Sequence, residues 1–532
     1  MSSRRRWAVV VGVMTGMAIA ALEATVVGTA MPTVIASLGG INHYSWVFSA
    51  YLVTSTVTVP VWGKLSDLYG RRLLYQIGIG VFLLGTLLSG MAGSMGQLII
   101  FRAIQGLGAG ALVPLGMTII GDSFTLRERA KMQAYFSGVW GLSSVVGPII
   151  GGFITDQISW RWVFFVNIPV GIIAALIIGF ALKEPKNHRR PTIDYAGAAL
   201  LMLAISLLML AMVEGGNSIQ SLLSTENLIL YALGGILLGI FGWVEKRASD
   251  PIIPFKLFRN RTVSVAVAAG FLAGIAMFGV ISFVPLFAQG ALGMTATQAG
   301  SLLTPLMLSW VSMSIVGGRL LLRLGYRSIT IVGFVLMAMG FVLLAMVTRE
   351  TPQYRLYLDL VLIGAGLGLT MLTLLIAVQQ AVERAELGVA TSLNQFSRAI
   401  GGALGVALMG AVLTSGLATQ LQIRAQGEDS PLTNEQATAF ASNPNALIDS
   451  HARAGMAPET YSVLQDSMGA AIRPVFWVGA LVSVFALFAA FMLPRRRDAK
   501  AEQRTDENCG EKMLMAEHAT IDPRNEPSAE VQ

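Results

Sequence analysis

The sequence predicts an all-α integral membrane protein with fourteen transmembrane helices, built as two six-helix halves plus an inserted helix pair. Three observations predict this class. Mean hydropathy is +0.66, and of 532 residues 54% are hydrophobic and only 13% charged, about half the charged share of a soluble domain. Apolar runs of spanning length recur from end to end, separated by short polar joints. Lys and Arg gather in alternate joints rather than evenly.

Taken in order, the predicted spans are 7–31, 45–63, 73–94, 97–121, 134–154, 162–182, 194–213, 228–245, 263–288, 298–318, 328–347, 356–379, 390–415 and 475–493. Each is long enough, at about 1.5 Å per residue, to cross a hydrocarbon core of about 30 Å. Residues 1–182 form an N-terminal half and 251–493 a C-terminal half. Between them, 183–250 holds a basic, Pro-containing linker and the inserted pair. Residues 416–474 are the one long outer loop, where Thr433 with Gln436 forms a capping box and Asn443-Pro444 signals a helix start. The charged, aperiodic tail 494–532 is expected to be disordered, with its basic start near anionic lipid.

An even helix count puts both termini on one side. The segments on that side hold Arg4 to Arg6, Lys64, Arg71, Arg72, Arg127, Arg129, Lys131, Lys183, Lys186, Arg189, Arg190, Lys246, Arg247, Lys256, Arg259, Arg261, Arg319, Arg323, Arg327, Arg384 and Arg495 to Arg497. The short opposite loops hold only Arg161, Arg349 and Arg355. Both termini are therefore expected in the cytoplasm, with the chain in the cell membrane. The same asymmetry accounts for the net charge of +7 without a nucleic-acid partner. The single cysteine, Cys509, and four scattered histidines offer neither a disulfide nor ligand spacing, so no metal and no cofactor are expected. The N-terminal run is too long for a signal h-region and reads as a retained first helix.

The first helix contains AALEATVVGTAMP, which puts Glu23 deep in an apolar run, with Gly16, Ala20, Val27 and Ala30 on its face. A carboxylate at that depth costs a few kcal/mol, so it faces a cavity or a partner. The plain alternative is a Glu that only hydrogen-bonds a neighbouring helix. In the fourth helix, Arg102, Gln105, Gly106 and Ala109 share one face. A buried Arg cannot shed its proton and needs a carboxylate, a carbonyl or water. It serves either as a fixed bridge between helices or as the tuner of a proton-carrying carboxylate.

The joint after the second helix, GKLSDLYGRR (Gly63 to Arg72), has a counterpart after the tenth, GRLLLRLGYR (Gly318 to Arg327). Both keep two glycines seven residues apart and an Arg two residues after the second. One motif at equivalent places in two halves marks a repeat-built transporter. The glycines let helix ends approach, and Asp67 is placed to face a helix N-terminus or a basic residue. Leu322 replaces the Asp in the second copy.

These residues carry a resemblance. GKLSDLYGRR resembles the loop 2–3 signature of the major facilitator superfamily, and RAIQGLGAGALVP (Arg102 to Pro114) its Arg-bearing fourth-helix motif. GLSSVVGPIIGG (Gly141 to Gly152) is similar to the Gly-Pro motif of its antiporters. With WRWVFFVNIPVG (Trp160 to Gly171) and the helix count, the chain resembles the 14-helix drug:proton antiporter family. The resemblance implies proton-coupled export of lipophilic or cationic small molecules, such as drugs, dyes and antibiotics, by a monomer. Glu23 stands where many members place Asp.

On this reading Glu23, Arg102 and Gln105 couple protons to substrate. Gly63, Asp67, Gly70, Arg71, Arg72, Gly147, Pro148, Gly151, Gly152 and Arg398 gate the conformational change. Arg398, with Asn394 on its face, is expected either to mirror Arg102 or to contact Asp67. Trp46, Tyr51, Phe278, Phe283, Phe287, Gln289 and Asn394 are candidate cavity-lining residues, and Asp359 and Glu214 surface carboxylates. No catalytic constellation points to an enzyme, and no Gly-rich loop ending in Lys-Ser/Thr is present, so ATP is not the direct energy source. Membrane lipid is the expected surrounding. The alternative cargo is a specific endogenous lipid, siderophore or self-made antibiotic on the same fold; a non-transporting scaffold is disfavoured, because intramembrane Glu and Arg are costly without a moving site.

Overall fold

In the computed structural model the described residues are 3–38, 44–124, 126–182, 194–215, 219–294, 296–349, 351–426, 432–433, 436–438, 440 and 456–494. Their long helices are α1 (Ser3–Leu38), α2 (Tyr44–Tyr69), α3 (Arg71–Gly90), α4 (Met95–Ser123), α5 (Leu126–Gln157), α6 (Trp162–Ala181) and α7 (Tyr195–Gly215). They continue with α8 (Thr225–Glu245), α9 (Arg261–Gly290), α10 (Leu303–Leu324), α11 (Tyr326–Ala345), α12 (Gln353–Gln380), α13 (Leu387–Ala425) and α14 (Pro458–Phe491). Each holds one expected span, and 12 of the described helices are long and apolar enough to cross a membrane. The other two long helices are α2, whose Ser and Thr residues with Lys64 and Asp67 dilute its apolar run, and α5, whose first turns carry Arg127, Glu128, Arg129 and Lys131.

Several boundaries move outward. The long outer loop is shorter than 416–474, because α13 continues to Ala425 and α14 begins at Pro458. Both helices run past their apolar spans into more polar sequence, and Pro474 sits inside α14. Between them Thr433 and Gln436 form the expected capping box, each backbone N–H reaching the other's side-chain oxygen at 3.1 and 3.2 Å. The linker 183–193, the Asn443-Pro444 signal and the tail beyond Pro494 lie outside the described residues.

In the N-terminal half α4 is the hub. Glycines let its neighbours reach its backbone: a Cβ on Gly85 of α3 would strike the backbone of Gln105, and one on Gly106 would strike Thr54 and the Tyr51 carbonyl of α2. The duplicated joint also has a structural basis. Gly70, between α2 and α3, and Gly325, between α10 and α11, both take positive φ, 95° and 79°. That region is nearly closed to residues with a Cβ.

The halves meet where α2 packs on α13 and α5 on α10. The inserted pair covers one of these seams: Leu201, Ile205 and Met209 of α7 pack in one cluster with Val57 and Val59 of α2 and Leu393 and Phe396 of α13. Its other helix, α8, turns Leu228, Leu233, Ile236, Ile240 and Trp243 outward, as a helix facing lipid should.

Candidate functional site: a buried Glu–Arg–Asn cluster and an inter-half latch

Glu23 lies on α1 with no exposed surface, and Arg102 on α4 is 2% exposed. Their side chains meet as an ion pair, Arg102 Nη1 donating to Glu23 Oε1. The same Nη1 donates to Gln105 Oε1 at 2.6 Å, and Arg102 Nε to the Val47 carbonyl at 3.3 Å. Gln105 passes the chain on, its Nε2 donating to Thr86 Oγ1 of α3 at 2.8 Å. The face of Tyr51 on α2 covers the guanidinium, 4.2 Å from ring centroid to Cζ, a favourable place for a desolvated cation. The second carboxylate oxygen, Oε2, accepts from Asn167 Nδ2 of α6 at 2.7 Å. Five helices thus contribute to one closed network around one carboxylate. An ion pair so fully removed from water persists only because every partner is hydrogen-bonded as well.

Sequence reasoning brought Glu23, Arg102 and Gln105 together but missed Asn167 and Thr86. The signal for Asn167 was available: it is a lone amide near the start of the otherwise apolar helix α6, at NIPVG.

The second element is a latch across the halves at the end of the bundle that carries the basic joints. Asp67, at the end of α2, accepts from the backbone N–H of Gly388 (3.0 Å, Oδ1) and Val389 (2.8 Å, Oδ2), in the first turn of α13. It also pairs with Arg71 at 2.5 Å. Asp67 therefore faces both a helix N-terminus and a basic residue, where unpaired amides and the helix dipole favour a negative charge. Arg71 Nε reaches Asp122 Oδ2 at 2.9 Å, and Asp122 Oδ1 takes Arg384 Nε from the other half at 3.1 Å. A Cβ on Gly63 would strike Ser392 of α13, so this glycine permits the close approach of α2. Arg72 is the second residue of α3, beside the latch. Deeper in, Arg129 of α5 bonds the Gly121 and Phe124 carbonyls of α4 and reaches Gln379 Oε1 of α12 at 3.5 Å. A small cavity there is lined by Met117, Gly121, Arg129, Leu375 and Gln379.

Other sequence-selected residues fall elsewhere. Among the described residues Arg398 pairs with neither Asp67 nor another carboxylate; its hydrogen bond goes to Met371 Sδ at 3.6 Å. The Asp67 position is taken by the α13 amides, some 10 residues nearer the end of the bundle. In α5, Gly147 and Gly151 are buried, and Gly141 lies against Met307 of α10. A Cβ on Gly152 would meet nothing, so that glycine is not a close-packing point. The side chain of Pro148 lies outside the described residues. Phe287 packs edge-on against Phe476 of α14, and it and Phe283 belong to the C-terminal core. Phe278 packs against Gly402 of α13, Gln289 bonds its own helix at Pro285, and Trp46 is 37% exposed. Asn394 is buried. Glu214 is exposed, but Asp359, expected at the surface, is 2% exposed. The close approach of α11 at Gly340 covers it.

The family model described as Major Facilitator Superfamily matches residues 13–406. The chain is 37% identical over 520 residues to Multidrug transporter protein MdtP of Bacillus subtilis (strain 168), spanning 94% of this chain and 96% of that one. It is 34% identical to Multidrug resistance protein 3 of the same organism, over 92% of this chain and 95% of that one. The fold is similar to the crystal structure of the human organic anion transporter MFSD10 (TETRAN), with a TM-score of 0.56 at 16% identity, covering 90% of this chain and 100% of that one.

Proposed function

The chain belongs to the Major Facilitator Superfamily, and from that premise we propose that it exports lipophilic and cationic small molecules across the cytoplasmic membrane in exchange for protons, by alternating access. The observation that carries the proposal is Glu23: fully buried, with Arg102 from α4 on one oxygen and Asn167 from α6 on the other. A carboxylate in such a place is costly to maintain unless its charge changes during function. The names of the bacterial relatives, multidrug transporters by their printed descriptions, support the cargo class.

The Lys/Arg distribution supports a cytoplasmic basic end carrying both termini. The latch at Asp67 then holds the cytoplasmic side shut. A proton arriving from outside neutralises Glu23 and releases Arg102 from its ion pair. Arg102 keeps the Gln105 oxygen, the Val47 carbonyl and the Tyr51 face, so it need not follow the carboxyl. With α1 freed from α4, the halves rock and the latch opens. Glu23 gives its proton to the cytoplasm, and the free carboxylate takes either a cationic substrate or Arg102. Proton and substrate compete for one group, and this competition couples the fluxes. Each proton entering releases about 2.3 kcal/mol per 100 mV, enough for roughly a 50-fold substrate gradient. A single copy contains the whole network, so the proposed working unit is a monomer.

In everted vesicles, addition of a cationic dye such as ethidium should collapse a preformed pH gradient. Glu23→Gln should abolish that response. Full dye-driven proton flux in E23Q would refute the role given to Glu23.

A further inference from the structure

The C-terminal half carries its own intramembrane arginine, and the chain treats it differently. Arg398 lies on α13, 11 residues from its start at Leu387, about 16 Å along the helix axis and hence near mid-membrane depth. Among the described residues its side chain finds only a thioether, Met371 Sδ of α12, at 3.6 Å. Sulfur is a weak acceptor and carries no charge. One turn before it on the same face, Asn394 is 4% exposed, and its Nδ2 is buried without a hydrogen-bond partner. Gly270 of α9 lies close against that amide: an added Cβ would come within 3.2 Å of Nδ2.

The position borders the path between the halves. Gln395, next along α13, donates to Met117 Sδ of α4 at 3.1 Å, and Met117 lines the inter-half cavity. Leu375, one turn from Met371 on α12, belongs to the core of the N-terminal half. In the N-terminal half Arg102 has a carboxylate, an amide oxygen, a carbonyl and an aromatic face. Among the described residues Arg398 has only the thioether, and the donor side of Asn394, its Nδ2, has no partner. A half-buried guanidinium held only by a thioether, beside a buried amide N–H with no partner, leaves part of the desolvation cost uncompensated. That cost is met when something outside the chain supplies negative charge and lone pairs, and a carboxylate matches the planar fork of Arg.

We propose that Arg398 and Asn394 form a second substrate subsite, which takes the carboxylate of amphiphilic acids and zwitterions. The inference rests on the export reading above and widens its cargo class beyond cations. Met371 and Met117 supply an adaptable apolar surface for the rest of the molecule.

The test compares two forms of one dye, rhodamine B with its free carboxylate and its ethyl ester, by fluorescence anisotropy on the purified full-length protein. No proton gradient is involved, so failure of proton-coupled export and failure of this subsite are separate results. The wild-type protein should bind the acid. Arg398→Met should weaken the acid about tenfold or more and the ester less than twofold, and Arg398→Lys should recover part of the loss. Asn394→Leu should give a smaller loss with the same selectivity. R398M should melt no lower than wild type, because it removes a cation that the fold leaves unneutralised. Equal loss of both dyes, no loss of either, or no binding of the acid by the wild-type protein would overturn the proposal. A lowered melting temperature in R398M with both dyes lost would instead make Arg398 a structural residue.

Discussion

Asp67→Asn tests whether the latch holds the basic end closed. The side chain of Asp67 is 5% exposed, and its two oxygens take the Gly388 and Val389 amides separately while Oδ1 also pairs with Arg71. Asparagine keeps the shape but has one acceptor oxygen, so one amide of the α13 N-terminus meets an NH2 group instead. A hydrogen bond to a charged group contributes about 1.5–3 kcal/mol. Losing one, and weakening the other by removing the charge, amounts to about 2–4 kcal/mol, a shift of roughly 30- to 1000-fold in the closed-to-open ratio. Arg71 retains Asp122 at 2.9 Å, which keeps the expected effect toward the lower end. The assay is the distance between spin labels on Tyr69 and Glu383, both exposed, after Cys509→Ser. Wild type should give one short distance, and D67N a second, longer population. Asp67→Glu should fall between them. An unchanged distribution in D67N would refute the claim that these hydrogen bonds set the equilibrium.

Gly70→Ala and Gly325→Ala should each lower the melting temperature in detergent by a similar amount, because both positive-φ positions cost about 1–3 kcal/mol with a Cβ; a loss at only one would break the equivalence of the two joints. Arg102→Gln should be poorly folded, since it leaves the buried Glu23 charge without its cation, a cost of about 3–5 kcal/mol. The double variant E23Q/R102Q should regain much of the yield, and strict additivity of the two effects would contradict the pairing. Gly85→Ala should displace α4 at Gln105 and reduce both stability and dye export, whereas Gly152→Ala, with open space around it, should leave stability unchanged. Asn167→Ala removes the Oε2 partner of Glu23 and should lower transport about 5- to 100-fold with the fold intact; wild-type rates would exclude it from the network.

The helices were legible because spanning length and apolarity are local properties. The repeat was legible because a positive-φ joint requires glycine wherever it recurs, which is why Gly70 and Gly325 sit at matching places. Glu23 and Arg102 were visible as charges that the membrane does not tolerate alone. Partners that are polar but uncharged left a weaker trace: Asn167 and Thr86 cost little by themselves, so only the packing of α6 and α3 against α1 and α4 reveals them. Arg384 counted only as one more basic joint residue and Asp122 carried no signal, because their pairing across the halves depends on where α4 ends and α13 begins in space. Asp359 was misjudged because its burial is decided by the close approach of α11 at Gly340, not by its place in α12. The reach of α13 and α14 beyond the apolar runs has the same origin, since a helix continues past the membrane surface wherever no residue stops it.

The central claim is that proton and cation compete for Glu23. Its most direct test is proton release on addition of ethidium to the purified protein in weakly buffered solution. The account predicts release approaching one proton per cation bound at a pH below the titration midpoint of the free protein, falling to about half a proton at that midpoint, by linkage, and none from Glu23→Gln. Ethidium binding by the wild-type protein without proton release, or equal release from E23Q, would contradict it.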